Sequence, residues 1–385
     1  VPLVTPFSQS VCPYCFSRFH LGDCEIVSST TGEVLRYPTD GKLRFISRVW
    51  VPATSGAENT RSLAARRCPK CEELLPPNIE YMDGKIIGLV GGGGSGKSHY
   101  IASLIGTLER QDALAGVGCW RFSAADQDVQ MRYEEEYYGP LFRRHEVIPP
   151  TNALPTTETN RPLIYEIVFE RKAGAQRGRK GVHLVFFDGA GEQIADQRSA
   201  VLVNRYIQYA AALILLVDPM SIPSVAANLP PELRPAEPAP AHEAINILNT
   251  VARIYRREWG LRPSDPIRVP LAITVAKSDL FRYLPPYSSG RWPRFLHDPG
   301  YQDGFSLAQF QATSQEVRDL LRSVSERGFF QAVRAFTDVS YHAVSATGEP
   351  PDPATNRFAA VKPIRCLDPL VWILWRLGLI QARRS

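Results

Sequence analysis

No run of apolar residues in this chain of 385 is long enough to cross a bilayer as a helix. The nearest, LVWILWRLGLI at 370–380, stops at 11 residues and contains Arg376, whereas a membrane helix needs about 20. Concentrated charge is missing as well. The 44 Lys and Arg against 39 Asp and Glu leave a formal charge of +5, and the excess falls in short clusters such as RKAGAQRGRKG (171–181) and the closing ARRS. Clusters of this kind are solvated loops, so nucleic acid is not indicated as a partner. The opening VPLVTPFSQS has neither the charged nor the apolar region of a secretory leader, and no internal repeat is present; the expectation is a cytoplasmic protein without a membrane span. Cysteine is nearly absent after residue 71. Only Cys119 and Cys366 lie beyond it, against Cys12, Cys15, Cys24, Cys68 and Cys71 before, which argues for a local device and against a disulfide framework.

What is present is a globular composition, 44% hydrophobic and 22% charged, with length enough for a sizeable core and for two to three domains or one heavily inserted domain. Two short pairs, CPYC (12–15) and CPKC (68–71), bracket strand-like stretches such as KLRFISRVWVP. Each pair offers two thiolates from one tight turn, so Cys12, Cys15, Cys68 and Cys71 read together as the ligands of a tetrahedral Zn²⁺ in a zinc-ribbon module. The 52 residues between the pairs exceed the usual spacing, which leaves Cys24 or His20 as substitute ligands. A redox Cys-x-x-Cys does not account for two copies; unrelated free thiols are the remaining alternative. With LLPPNIEYMDG as a linker, the module is expected over 1–82 and the rest of the chain over 83–385. So small a module is expected to depend on its metal, and the larger part to stand without it.

From residue 85 strands and helices alternate. KIIGLV (85–90), RPLIYEIVFE (161–170), GVHLVFFD (181–188), AALILLVD (211–218), PLAITVA (270–276) and FTDVSYHAVSA (336–346) read as strands. Helices are expected at 97–110, through VLVNRYIQYA, at about 242–258, 306–326 and 367–382. This order predicts an α/β fold, a mostly parallel sheet with helices on both faces. The basic stretch 171–181 is expected as a loop, and Pro-rich 219–240 as an exposed, extended insertion.

GGGGSGKS (91–98) fits the phosphate loop G-x-x-x-x-G-K-[ST], and it stands between a strand and a helix as that loop requires. Backbone N–H groups of Gly91, Gly92, Gly93, Gly94, Ser95 and Gly96 close around phosphates in such a loop. Lys97 reaches the terminal phosphates, Ser98 offers its hydroxyl to Mg²⁺, and His99 follows in the first turn. LVFFDGAGEQ (184–193) ends a strand in Asp188 and then Gly191. Alone, this is equally an Asp-Gly turn. Beside a phosphate loop it reads as D-x-x-G, with Asp188 next to Mg²⁺ and the Gly191 N–H near the γ-phosphate.

These boxes, with AKSD (276–279) and SA (345–346), occur in the order and on the strand ends seen in GTPases of the translation-factor and Ras-like class. Residues 85–385 resemble that class, with insertions at about 110–155 and 219–265. The resemblance implies GTP or GDP with Mg²⁺. It packs Lys277 over the nucleotide, gives guanine's ring N–H and amine to Asp279, and gives its carbonyl to the backbone of Ser345 and Ala346; adenine would leave a buried Asp279 unpaired. Two positions depart from the class. Ala276 stands where Asn or Thr is usual, and Gly191-Glu192-Gln193 stands where Ras-like members have Gly-Gln-Glu. Glu192 then either accepts a proton from water or repels the γ-phosphate, and Gln193 substitutes if the loop shifts. The first-switch threonine that the class implies for Mg²⁺ comes from PTTET (155–159), as Thr156, Thr157 or Thr159, with Thr157 preferred. Lys97 and Asp188 are 91 positions apart, which leaves room for a helical insertion containing VQMRYEEEYYGPLFRRHEV, expected as an exposed face. The zinc-ribbon front, FFDGAGE and ILLVDP are similar to bacterial double-GTPase families of conflict and signalling systems, which implies protein partners acting as activator or effector.

The expected function is a guanine-nucleotide switch with slow intrinsic GTP hydrolysis and partner-dependent activation, its chemistry carried by Lys97, Thr157, Glu192 and Gln193. A nucleotide-bound, non-hydrolysing scaffold accounts instead for Ala276 and Glu192. A P-loop ATPase accounts for the phosphate loop and Asp188 and leaves AKSD and SA idle.

Overall fold

The computed structural model describes residues 9–28, 32–34, 43–46, 49–52, 64–76, 79, 83–110, 112–149, 161–173, 176–187, 197–234, 242–285, 287–290 and 292–383. Among the described residues, the first part of the chain holds three antiparallel pairs. β1 (Gln9–Val11) pairs with β2 (Arg18–His20), β3 (Glu25–Ser28) with β6 (Ala64–Arg67), and β4 (Leu43–Ile46) with β5 (Val49–Pro52). The last pair falls in KLRFISRVWVP, the stretch read as strand-like.

The remainder is built on one sheet. In chain order come β7 (Asp83–Gly91), α1 (Lys97–Leu108), β8 (Cys119–Ala124), α2 (Gln127–Arg132), β9 (Leu163–Ala173), β10 (Gln176–Phe186), α3 (Gln197–Gln208) and β11 (Ala212–Val217). There follow α4 (Pro223–Ala226), α5 (Glu243–Trp259), β12 (Leu271–Val275), β13 (Phe305–Ser306), α6 (Leu307–Val324), α7 (Arg327–Val333), β14 (Val339–Ala343), α8 (Asp368–Arg376) and β15 (Ala382–Arg383). The sheet has seven strands in the order β14-β12-β11-β7-β10-β9-β8. The five from β14 to β10 run parallel, and β9 is antiparallel to both of its neighbours. β13 and β15 form a separate short pair.

Strands covered on both faces are apolar throughout, and their pleat sends alternate residues to opposite sides. Ala212, Ile214 and Leu216 of β11 join the core formed with α1 and α8, while Leu213, Leu215 and Val217 join the core formed with α3, α5, α6 and α7. The parallel sheet with helices on both faces is the arrangement that the alternation of elements implied.

Four stretches differ from their sequence reading, one of them the last helix, which ends at Arg376 and gives way to β15 instead of running to 382. The basic stretch is not a loop over 171–173 and 176–181: β9 and β10 run as one ladder from Leu163↔Phe186 to Ala173↔Gln176. The Pro-rich segment is not extended over its described part. It makes short helical turns at Pro219–Ser221, Pro223–Ala226 and Pro231–Leu233, and Val225 and Leu229 are buried in the sheet's core. The insertion after α1 contributes edge strand β8 as well as a helix. After α2 that helix continues over Tyr133–Arg143 in wide π-type turns with Pro140 inside, where the missing proline N–H breaks the regular ladder. Its aromatic face is core, since Tyr133, Tyr137 and Leu141 are buried and the Tyr133 hydroxyl donates to Ala102 O at 2.9 Å on α1. Glu135 and Glu136 keep the exposure expected of the whole segment. Among the described residues no helix is long and apolar enough to cross a membrane.

Candidate nucleotide site and cysteine cluster

β7 delivers the chain to Gly91, and α1 begins at Lys97, so the phosphate loop lies where strand passes into helix. Gly96 caps α1 with φ of 87°, in the left-handed region where a side chain is strained. No acidic residue occupies the first turn of α1, leaving its N–H groups and positive dipole end open to an anion. The Lys97 ammonium is buried and donates to Gly91 O at 3.0 Å and Gly92 O at 2.7 Å, folded over the loop it serves. Glu243, at the start of α5, meets the loop from a distance of 150 positions in sequence: its Oε1 accepts the Gly93 N–H at 3.0 Å. A Cβ on Gly92 would lie 1.7 Å from Glu243 Oε2, so this glycine is needed for the close approach.

A cavity of about 580 Å³ opens from the loop, within the size range of small-molecule sites. Gly93 to His99 line one end; Ala276, Lys277, Asp279, Ser345 and Ala346 line the other. These last come from the ends of β12 and β14, two adjacent parallel strands. Lys277 takes φ of 47°, and its ammonium pairs with Asp218 Oδ2 at 2.6 Å at the end of β11. Asp279 is 3% exposed; burial pushes its carboxyl above the ordinary range, partly offset by a hydrogen bond from Ser345. The Ser345 hydroxyl also accepts the Gly348 N–H at 2.8 Å, and Ala346 O accepts from the Ser103 hydroxyl at 2.6 Å. Ala276 gives its N–H to Val217 O at 2.9 Å and has no polar side chain to add. Ser98 lines the cavity half-buried. His99 accepts the Ile148 N–H on Nε2 at 3.1 Å; burial, with the charge of Lys277, holds its pKa at about 4, so the ring is neutral near pH 7.

Asp188, Gly191, Glu192, Gln193 and the threonines Thr156, Thr157 and Thr159 lie outside the described residues. Sequence reading missed Asp218 and Glu243. The acid in ILLVDP was visible, but its pairing with Lys277 depends on strand order; nothing local marks Glu243.

The two knuckles meet. Cys12, Cys15, Cys68 and Cys71 place their Sγ atoms within 4.8 Å of one another, with Cys12 to Cys71 at 3.8 Å and Cys15 to Cys68 at 4.0 Å. Four sulfurs about 2.3 Å from one tetrahedral zinc stand about 3.8 Å apart, so the geometry is compatible with that ion. The turns are near copies: Tyr14 and Lys70 each donate a backbone N–H at 3.4 Å to the first sulfur of their pair. The four thiols share their protons unequally: hydrogen bonding from Cys12 holds Cys15 well below its ordinary value and brings Cys68 to about 6, while Cys12, bonded by the other three thiols, and Cys71 are pushed up. Cys24 is outside the cluster, its thiol reaching His20 O at 3.9 Å, and the group gathered here has no histidine.

Residues 85–349 match the family described as Double-GTPase 2. This chain belongs to that family. It is a P-loop GTPase by that membership, with the double-GTPase resemblance read from FFDGAGE and ILLVDP. SaeC of Mycolicibacterium smegmatis, named for ESX-1 scaffolding and assembly, is 26% identical over 351 residues, covering 86% of this chain and 85% of that protein. Solved structures similar to this family member include the signal recognition particle receptor SRb-GTP/SRX complex from Chaetomium thermophilum, 12% identical over 69% of this chain and 93% of that one, with a TM-score of 0.28. Another is the S. cerevisiae Ski7 GTPase-like domain bound to GTP, 11% identical over 69% of this chain and 43% of that one, with a TM-score of 0.29. None of these names speaks of a conflict system, and that of the relative speaks of ESX-1 scaffolding and assembly.

Proposed function

We propose that the chain is a cytoplasmic guanine-nucleotide switch whose cavity takes GTP or GDP, with phosphates on Gly91–Ser98 and guanine against Asp279. The observation that carries this reading is a buried carboxylate at one end of a cavity whose other end is a phosphate loop. Guanine brings a ring N–H and an amine to such a carboxylate. Adenine brings neither and leaves it desolvated and unpaired. Family membership supports the same nucleotide.

On this reading the Ser98 hydroxyl, Asp188 and Thr157 hold Mg²⁺, which neutralises phosphate charge when bound. Lys97 leaves the loop carbonyls for the phosphates, and Lys277, steadied by Asp218, covers the nucleotide. Intrinsic hydrolysis is slow because Glu192 stands at the water-orienting position, beside Gln193, and a protein partner supplies activation. Residues 1–82 form a metal module in which Cys12, Cys15, Cys68 and Cys71 hold Zn²⁺ and brace the two knuckles, and residues 83–385 form the nucleotide domain. The name of the SaeC relative supports work alongside other proteins, and it also favours a second reading, a nucleotide-bound scaffold that does not hydrolyse.

Chromatography of the nucleotide released on denaturing the purified chain, followed by competition and turnover assays, tests both. GTP or GDP held in preference to ATP is expected, with turnover well below one per minute. Tighter binding of ATP overturns the guanine reading. Bound GTP with no turnover, alone or with candidate partners, selects the scaffold.

A further inference from the structure

The two knuckles share one backbone course and put it to different uses. Phe16 follows Cys15 with φ of 54° and Glu72 follows Cys71 with φ of 63°. Each donates its N–H to the first cysteine carbonyl of its pair, Phe16 to Cys12 O at 2.9 Å and Glu72 to Cys68 O at 3.0 Å. The left-handed region strains a residue that carries a side chain, and strain kept at one position by packing points to use. Glu72 is exposed. Phe16 is fully buried, and it lies in the core of the seven-stranded sheet instead of the module's own cluster. Its ring stands edge-on to Phe187 at 5.8 Å between centroids and 5.2 Å from Tyr206. Beside it Arg18 lies over the Tyr209 ring at 5.0 Å, and Arg205 donates to the Ser17 hydroxyl at 3.1 Å. The knuckle is therefore docked on α3.

Tyr206 carries the contact inward. β7 and β10 pair only as far as Ile86↔Val185, and beyond that the strands part. The Tyr206 hydroxyl sits in the fork: it donates to Ile87 O at 2.6 Å, accepts the Leu89 N–H at 2.9 Å and stands 3.4 Å from the Phe187 N–H. β7 goes on to the phosphate loop at Gly91, and Phe187 immediately precedes Asp188. One buried hydroxyl thus bridges the strands that deliver the phosphate loop and the D-x-x-G box.

We propose that Phe16 and Tyr206 are positioning residues that link the cysteine cluster to the nucleotide site, so that filling either site holds the other. This rests on the nucleotide reading above. Metal fixes the knuckle, the knuckle seats Phe16, and Phe16 holds the Tyr206 ring whose hydroxyl sets the fork. Because linkage of binding free energies is reciprocal, nucleotide that orders the strand ends must also retain metal.

The test uses the full chain loaded with zinc. Two rates are followed, zinc release to a chelating dye after a fixed dose of thiol reagent and timed alkylation of Cys15 and Cys71 by iodoacetamide. Both are read without nucleotide, with GDP and with a non-hydrolysable GTP analogue. Bound nucleotide is expected to slow both by at least about fivefold. Phe16→Gly suits the left-handed backbone and leaves the turn intact; it is expected to bind zinc and nucleotide yet lose the dependence. Tyr206→Phe keeps the ring contact, removes only the hydroxyl and is expected to weaken the dependence. Equal rates with and without bound nucleotide in the unaltered chain overturn the linkage. So does nucleotide dependence that survives undiminished in both variants, or a purified chain that takes up no zinc. Direct titration showing that the unaltered chain binds no guanine nucleotide overturns the functional reading instead, so the two failures are distinct.

Discussion

The two ends of the cavity are made of different material. At the phosphate-loop end, one uninterrupted stretch running from β7 into α1 lines the cavity from Gly93 to His99, and Gly93, Gly94 and Gly96 offer it backbone alone. At the Asp279 end, Asp218, Lys277, Asp279 and Ser345 come from the ends of three strands and act through side chains. A backbone cradle survives any substitution that keeps its dihedral angles. A side-chain end depends on every partner being present and on the charge each carries in a dry site.

The largest effect that would sharpen this contrast is expected from the charged side chain of the backbone end. Lys97→Ala should lower GTP affinity on the order of 100-fold, as loss of a charged contact worth about 3 kcal/mol, with the circular dichroism spectrum kept. Calorimetric titration showing unchanged affinity would mean that phosphates do not bind at this loop.

A smaller and more informative change is Asp279→Asn. Guanine affinity should fall about 10- to 30-fold, and xanthine nucleotides should gain, because the amide donates to the carbonyl that replaces guanine's amine. The empty protein should respond in the opposite sense. Burial raises the Asp279 carboxyl above its ordinary value, so the folded chain holds that proton more tightly than the unfolded chain, and stability falls as pH rises from the ordinary Asp value to the raised one and stays lower above it. The variant should therefore melt above the unaltered chain at pH 7, with the gap closing as pH falls into the ordinary Asp range. Lower melting at pH 7 would show that the charge is compensated, and the supposed fragility of this end would be wrong.

The smallest effect lies where a side chain intrudes on the backbone end. Gly92→Ala displaces the Glu243 carboxylate and breaks its bond to the Gly93 N–H, and Glu243→Ala breaks the same bond. Each should cost about 1 kcal/mol of stability, and together they should cost little more than either alone. Full additivity in a double-mutant cycle would mean that Glu243 does not act on the loop.

The fold was legible because its signals are local. Apolar strands broken by helical periodicity name a covered parallel sheet, and the five parallel strands are those that the sequence suggests, with β9 antiparallel beside β10. The misread segments failed for a physical reason. Basic residues at 171–181 belong to strands because cross-strand pairing outweighs polarity there, and Val225 and Leu229 are drawn into the core from a Pro-rich run that local propensity reads as exposed.

By itself the sequence determined what rests on short spacing: the phosphate loop, the two Cys-x-x-Cys turns, and the AKSD and SA boxes on their strand ends. These depend on backbone geometry within a few residues, where chemistry and spacing coincide. Only the tertiary structure decided what depends on strand order and docking. It selected the four cysteines over Cys24 and His20, paired Lys277 with Asp218, brought Glu243 to Gly93, and seated Phe16 against Tyr206. The contacts between the knuckles and between the other partners join residues between 53 and 190 positions apart, and no local preference encodes them, because each forms only once the fold has placed both partners.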